Sequence, residues 1–176
     1  MAFTIVNPAA AGFLPIASID SGITPPGSST VIPSPPLYKG MVVTATDPTF
    51  GTGEFILLAG VASTLVGSLV TYNTTSYTTA LCPVTANLGQ PVAVSMAANT
   101  AATTWSWYQI GGISVVSKSA VAIANNVAIG INSAGKIGAV ASGKQVLGAR
   151  TANSTVSATA TAQVVIDRPH MQGRVT

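Results

Sequence analysis

The chain reads as an all-β protein, an antiparallel β-sandwich or barrel of short strands carrying an extended, Pro-rich N-terminal arm. Three observations predict this. Ala, Val, Thr, Ser and Gly dominate the 176 residues, and small and β-branched types suit a pleated surface better than a helix. Charged residues, the usual fillers of exposed helix faces, are only 6% of the chain, against roughly 25% in ordinary soluble domains. Turn-forming residues also recur between short apolar runs, at a spacing that gives about nine to eleven strands.

Residues 1–38 form the arm. Pro8, Pro15, Pro25, Pro26, Pro33, Pro35 and Pro36 lie there, seven of the chain's eleven prolines. Each fixes φ and removes a backbone donor, which opposes both helix and central strand. The arm is nevertheless apolar. Phe3, Ile5, Phe13, Leu14, Ile16, Val31, Ile32 and Leu37 punctuate it, with Asp20 its one charge. A segment of this kind cannot build its own core, so it is expected to lie along another surface, of its own domain or of a neighbour.

Residues 39–176 form the β-rich domain. Met41–Thr46 predicts a strand ended by Asp47-Pro48. Glu54–Val61 and Leu65–Tyr72 predict two more, joined as a hairpin through Ala62-Ser63-Thr64, and Asn73–Tyr77 a polar loop. Pro91–Met96 is a short strand, and Ala97–Thr103 a loop or single helical turn. Thr104–Ile110 is a strand with Trp105 and Trp107 on one face, a turn at Gly111-Gly112, and a return over Ile113–Ser117. Ala120–Ile123 and Val127–Ile131 flank Asn125-Asn126, a hairpin turn in which Asn tolerates positive φ. Val156–Ile166 alternates almost strictly with period two. Val156, Ala158, Ala160, Ala162, Val164 and Ile166 take one face, so Ala160→Asp is expected to unfold the domain.

Charge patterning excludes most functions. Phe55–Ser117 holds no charged residue over 63 positions. The formal charge is +3, but Lys118, Lys136, Lys144 and Arg150 are spread over predicted loops and make no stripe for nucleic acid. Four acids and the single His170 leave no catalytic triad, calcium loop or phosphate loop to find. No enzyme activity, cofactor or metal is expected. Cys82 stands alone, so it makes no intrachain disulfide and reads as a small buried apolar residue. Asn73-Thr74-Thr75 and Asn153-Ser154-Thr155 match the glycosylation sequon by chance. Met1–Pro8 lacks the basic start of a signal peptide. Phe55–Tyr72 has the length of a membrane-spanning helix. Its Gly, Ser and Thr content and its two separate apolar clusters fit strands better, and no membrane partner is expected.

Several phrases of the chain resemble tailed-bacteriophage capsid decoration (cement) proteins. They are Gly53–Thr64 continued by Gly67–Asn73, Gln90–Met96, Trp107–Ile110, Gly143–Arg150 and Val165–Pro169. The resemblance spans residues 53–169 in phrase and order. It implies a β-rich virion protein, made in the host cytoplasm, that decorates and stabilises the outer surface of the phage head by bridging neighbouring major capsid proteins. Its partners would be the major capsid protein and other copies of itself, as trimers near threefold positions or dimers across twofold positions. The expected interface comprises the apolar arm residues named above together with Arg168 and His170. The alternative is a virion surface adhesin or carbohydrate-binding module using Trp105 and Trp107 as a stacking platform.

Overall fold

The computed structural model describes residues 4–5, 39–99, 101–102 and 104–173. These form strands and connecting turns, with no helix among the described residues. The strands are β1 (Thr4–Ile5), β2 (Val42–Asp47), β3 (Gly51–Ala59), β4 (Leu69–Tyr72), β5 (Thr79–Leu81), β6 (Val92–Ser95), β7 (Trp105–Ser117), β8 (Ala128–Ser133), β9 (Lys136–Gly138), β10 (Gln145–Thr151) and β11 (Thr161–Met171). They build one curled antiparallel sheet in the order β1-β2-β3-β7-β11-β10-β8-β9, and β6, β4 and β5 branch from β7. The expected all-β fold is thus present as a half-barrel. The curl brings β9 back to the end of β7, where Lys118 bridges Ile137.

The first strands follow directly from local chemistry. Asp47 ends β2 because its Oδ1 accepts from the Thr49 and Phe50 amides at 2.7 and 3.0 Å, an Asx turn. Six residue pairs then hold β2 to β3. Strand β3 explains the membrane-like apolar run. Phe55 and Leu57 pack on one face with Ala45, Met96 and Trp107, while Ile56 and Leu58 pack on the other with Val70, Ala93, Tyr108 and Ile110. A strand covered on both faces shows no alternation in sequence.

Several boundaries differ from the sequence reading. Strands β3 and β4 are not a hairpin: β3 pairs with β2 and β7, whereas β4 pairs with β5 and β6. Leu65 and Val66 lie in the connecting turn and are exposed. The short β5 was missed, and the real hairpin is β4–β5 around the Asn73–Thr78 loop. Gly111-Gly112 does not turn the chain. Strand β7 runs through it for 13 residues, pairing with β3 before it and with β11 after it. The pair forms a bulge, with Glu54 opposite Gly111 and Phe55 opposite Gln109. Gly112 has φ +93°, and a Cβ there would meet Thr52 O at 2.5 Å. The Gln109 amide straps the bulge by donating to Gly111 O and Ile113 O, both at 3.0 Å.

Asn126 has the expected positive φ, but Ala120–Ile123 is not a strand, and β8 pairs with β9 and β10 instead. The last strand is displaced to Thr161–Met171. Ala162, Val164 and Ile166 do share the buried face, but Val156, Ala158 and Ala160 lie in an exposed loop before it. Ala160→Asp is therefore not an unfolding substitution. Beyond Ile166 the alternation changes phase, with Pro169 and Met171 buried. The cause is a second bulge, where Gly148 on β10 faces Asp167 and Arg168 takes a positive φ.

The interior of the curl is aliphatic: Leu69, Cys82, Val94, Val116, Ile129, Ile131, Ile137, Val146, Val164, Ile166 and Met171 form its main cluster. Lys118 is not on a loop. It is nearly buried at the end of β7, where its Nζ donates to Ser119 O at 3.1 Å and Val121 O at 2.7 Å. Lys136 and Arg150 likewise lie in β9 and β10.

Candidate functional site

Among the described residues no group of three or more His, Cys, Asp or Glu side chains comes together that could hold a metal ion. No helix among them is long and apolar enough to cross a membrane. Cys82 is buried, and burial pushes its thiol up to about 12, the opposite of what a reactive thiol needs.

The predicted aromatic platform is divided by the fold. Trp107 is fully buried in the cluster around Phe55 and Leu57, so its ring cannot stack on a sugar. Trp105, one turn of the pleat away, is half-buried and lies under the Lys39 ammonium, 5.5 Å from the ring centroid. The carbohydrate reading of this pair is therefore corrected: Trp107 is a core anchor.

The predicted interface residues fall in three groups. Phe3, Phe13, Leu14, Ile16, Val31, Ile32 and Leu37 lie outside the described residues. Ile5 lies in β1, whose backbone pairs with the outer edge of β2, Ile5 opposite Ala45 and Thr4 opposite Thr46. Arg168 and His170 lie within β11, not after it, and both are exposed. Arg168 does not pair with its neighbour Asp167. Its Nη2 donates to Glu54 Oε2 at 3.0 Å across the sheet. His170 pairs with Leu147 and bridges to Pro91.

Sequence reasoning missed two surface features. The first is the turn between β3 and β4, which presents Leu65 (63% exposed) and Val66 (54%) to solvent. This tip is held rigidly. Thr64 Oγ1 donates to Val61 O, Leu65 N to Ser68 Oγ, Gly67 N to Ser95 O, Asn99 N to Thr64 O and Ser117 N to Gly67 O. Beyond Ser117, Lys118 N donates to Ala160 O, so the loop carrying the exposed Val156 borders the same end of β7. Residues 60–68, 119–127 and 152–160 contain no charge. This end of the molecule is thus apolar at its tip, with the nearly buried Lys118 and the exposed Lys136 bordering it. The clue was available in Ser63-Thr64 and Gly67-Ser68, turn residues that bracket the two apolar side chains.

The second feature is an open groove of about 370 Å³ between β4, its following turn and the Gly89–Pro91 segment. Thr71, Tyr72, Asn73, Thr78, Gln90 and Pro91 line it. Burial raises the Tyr72 hydroxyl above its ordinary pKa, and the nearby Arg168 guanidinium pulls the other way. No protein-family model matches this chain, and a search of curated proteins found no match.

Proposed function

We propose that this chain is a viral structural protein that decorates the outer surface of a phage head, bridging neighbouring major capsid proteins and other copies of itself. The observation that carries the reading is the braced turn between β3 and β4 with Leu65 and Val66 exposed, beside the loop that exposes Val156. Apolar side chains held exposed on a rigid turn suit burial against another protein. Leu65, Val66 and Val156 are uncharged, so their own burial desolvates no ion. The pairing of β1 with the edge of β2 supports a role for the arm, because it starts the arm at a sheet edge where strand addition is available.

The test is the copy number of the chain in density-purified particles, measured by quantitative mass spectrometry against the major capsid protein. A ratio near one, or a simple fraction of it, is expected. A few copies per particle, or none, overturns the reading. Leu65→Asp with Val66→Asp tests the surface directly. Both positions are exposed, so stability should change by no more than about 0.5 kcal/mol each, while binding to undecorated shells should fall. Removal of residues 1–38 should likewise leave a folded domain that binds shells weakly.

A further inference from the structure

We infer that the groove beside Tyr72 is a binding site for a neutral saccharide. Its walls are preorganised. Tyr72 N donates to Pro91 O at 3.2 Å and joins β4 to the opposite wall. Asn73 Oδ1 accepts from the Thr75 and Ser76 amides at 2.8 and 2.9 Å, and Asn73 N donates to Thr78 O at 3.0 Å. On the other side Met171 N donates to Gln90 O at 2.8 Å. A ligand would therefore not have to order the walls itself.

The lining chemistry selects the ligand class. None of the lining side chains is charged. The Tyr72 hydroxyl, the Gln90 amide and the Thr71 hydroxyl have no hydrogen-bond partner among the described residues. Thr71 is otherwise buried but lines the open groove, so its hydroxyl can exchange water for a ligand hydroxyl. Hydroxyls and amides both donate and accept, which matches a ligand whose own groups are hydroxyls. The half-buried Tyr72 adds an aromatic body with a polar tip. Arg168, the cation beside Tyr72, is already paired with Glu54 at 3.0 Å. That pairing offsets the cation near the groove, and with no charged lining side chain the site suits a neutral ligand better than an anion. This inference is independent of the decoration role, since it uses a different surface.

The test is amide NMR of the full chain with methyl glycosides of glucose, galactose, mannose and N-acetylglucosamine, each added alone. Inorganic phosphate serves as the charged comparison, and an unstructured neutral peptide as the strand-addition comparison. At least one glycoside should shift the amides of residues 71–78 and 89–90. Gln90→Ala, at an exposed position that does not threaten folding, should weaken that binding about fivefold. Tyr72→Ala should abolish it. The inference is overturned if no glycoside shifts these amides, if only phosphate or the peptide does, or if Gln90→Ala binds as tightly as the wild type.

Discussion

Strand β7 passes through two different environments. Before the Gly111-Gly112 bulge it is a central strand covered on both faces, with Trp107 on one side and Tyr108 and Ile110 on the other. After it, Ser114 and Val116 are buried, while Ile113 and Val115 are only half-buried. The first half belongs to an aromatic region braced by side-chain hydrogen bonds. Asn99 Nδ2 donates to Ser106 Oγ at 2.7 Å and to Tyr108 Oη at 3.1 Å, and Thr104 Oγ1 donates to Asn99 Oδ1 at 2.9 Å. The second half belongs to the aliphatic interior of the curl, filled mainly by Val and Ile. One strand serves both because the bulge redirects it. The difference teaches that the two regions fail in different ways.

The largest effect is expected on the aliphatic side. Ala162 is buried opposite Val116 of β7 in the aliphatic cluster, so Ala162→Asp places an unpaired carboxylate in an apolar interior. It should cost about 4–5 kcal/mol or unfold the domain. Ala160→Asp, two positions earlier and exposed, should stay within about 0.5 kcal/mol. Urea denaturation of the two variants side by side locates the start of β11. Equal losses would mean that the strand begins earlier than Thr161.

On the aromatic side, Trp107→Ala should cost about 3–5 kcal/mol through the cavity left among Phe55, Leu57 and Met96. Trp107 Nε1 makes no hydrogen bond, so Trp107→Phe loses volume alone and should cost clearly less. If thermal unfolding showed the two variants equally destabilised, an unseen partner of the indole nitrogen would be indicated, and packing would not be the main term.

At the junction, Gly112→Ala adds a methyl 2.5 Å from Thr52 O at φ +93°. A loss of about 2–3 kcal/mol is expected from strain and clash. Hydrogen exchange should then show weakened protection on both β3 and β11, the two strands that meet at Gly111. Loss confined to one of them would separate the two regions more sharply than the fold suggests.

These contrasts also show what was legible in the sequence. The β class was legible throughout, because composition and turn spacing do not depend on which strands pair. The face of Ala162, Val164 and Ile166 was legible because one side of β11 is covered and the other is not. The strand start was not, since Val156–Ala160 continues the same Thr and Ala alternation without packing on anything. Pairing was illegible where it is non-local: nothing near Leu65 signals that β4 joins β5 and β6 rather than β3. Gly111-Gly112 misled because a bulge and a turn demand the same residue. The groove beside Tyr72 was hidden for a related reason, as its two walls are far apart in sequence and ordinary in composition.

The smallest effect is a pH dependence carried by Cys82 in the aliphatic interior. Its thiol is fully buried, donates to Met171 Sδ at 3.4 Å, and is pushed by burial up to about 12. In the unfolded chain the thiol ionises near its ordinary value of about 8.5. Because the folded value is the higher one, the contribution is fully present below about pH 8.5 and is lost as pH rises toward 12. Burial also raises Tyr72 and Tyr108, but their ordinary value is about 10, so Cys82 governs the interval before it. Cys82→Ala should be less stable than the wild type at neutral pH, because it leaves a small cavity. Between pH 8.5 and 10 the wild type should lose about 2 kcal/mol that the variant does not. Urea denaturation at closely spaced pH values measures both slopes. Parallel slopes would mean that the thiol titrates alike in the folded and unfolded chain, and that the aliphatic interior is wetter than its packing implies.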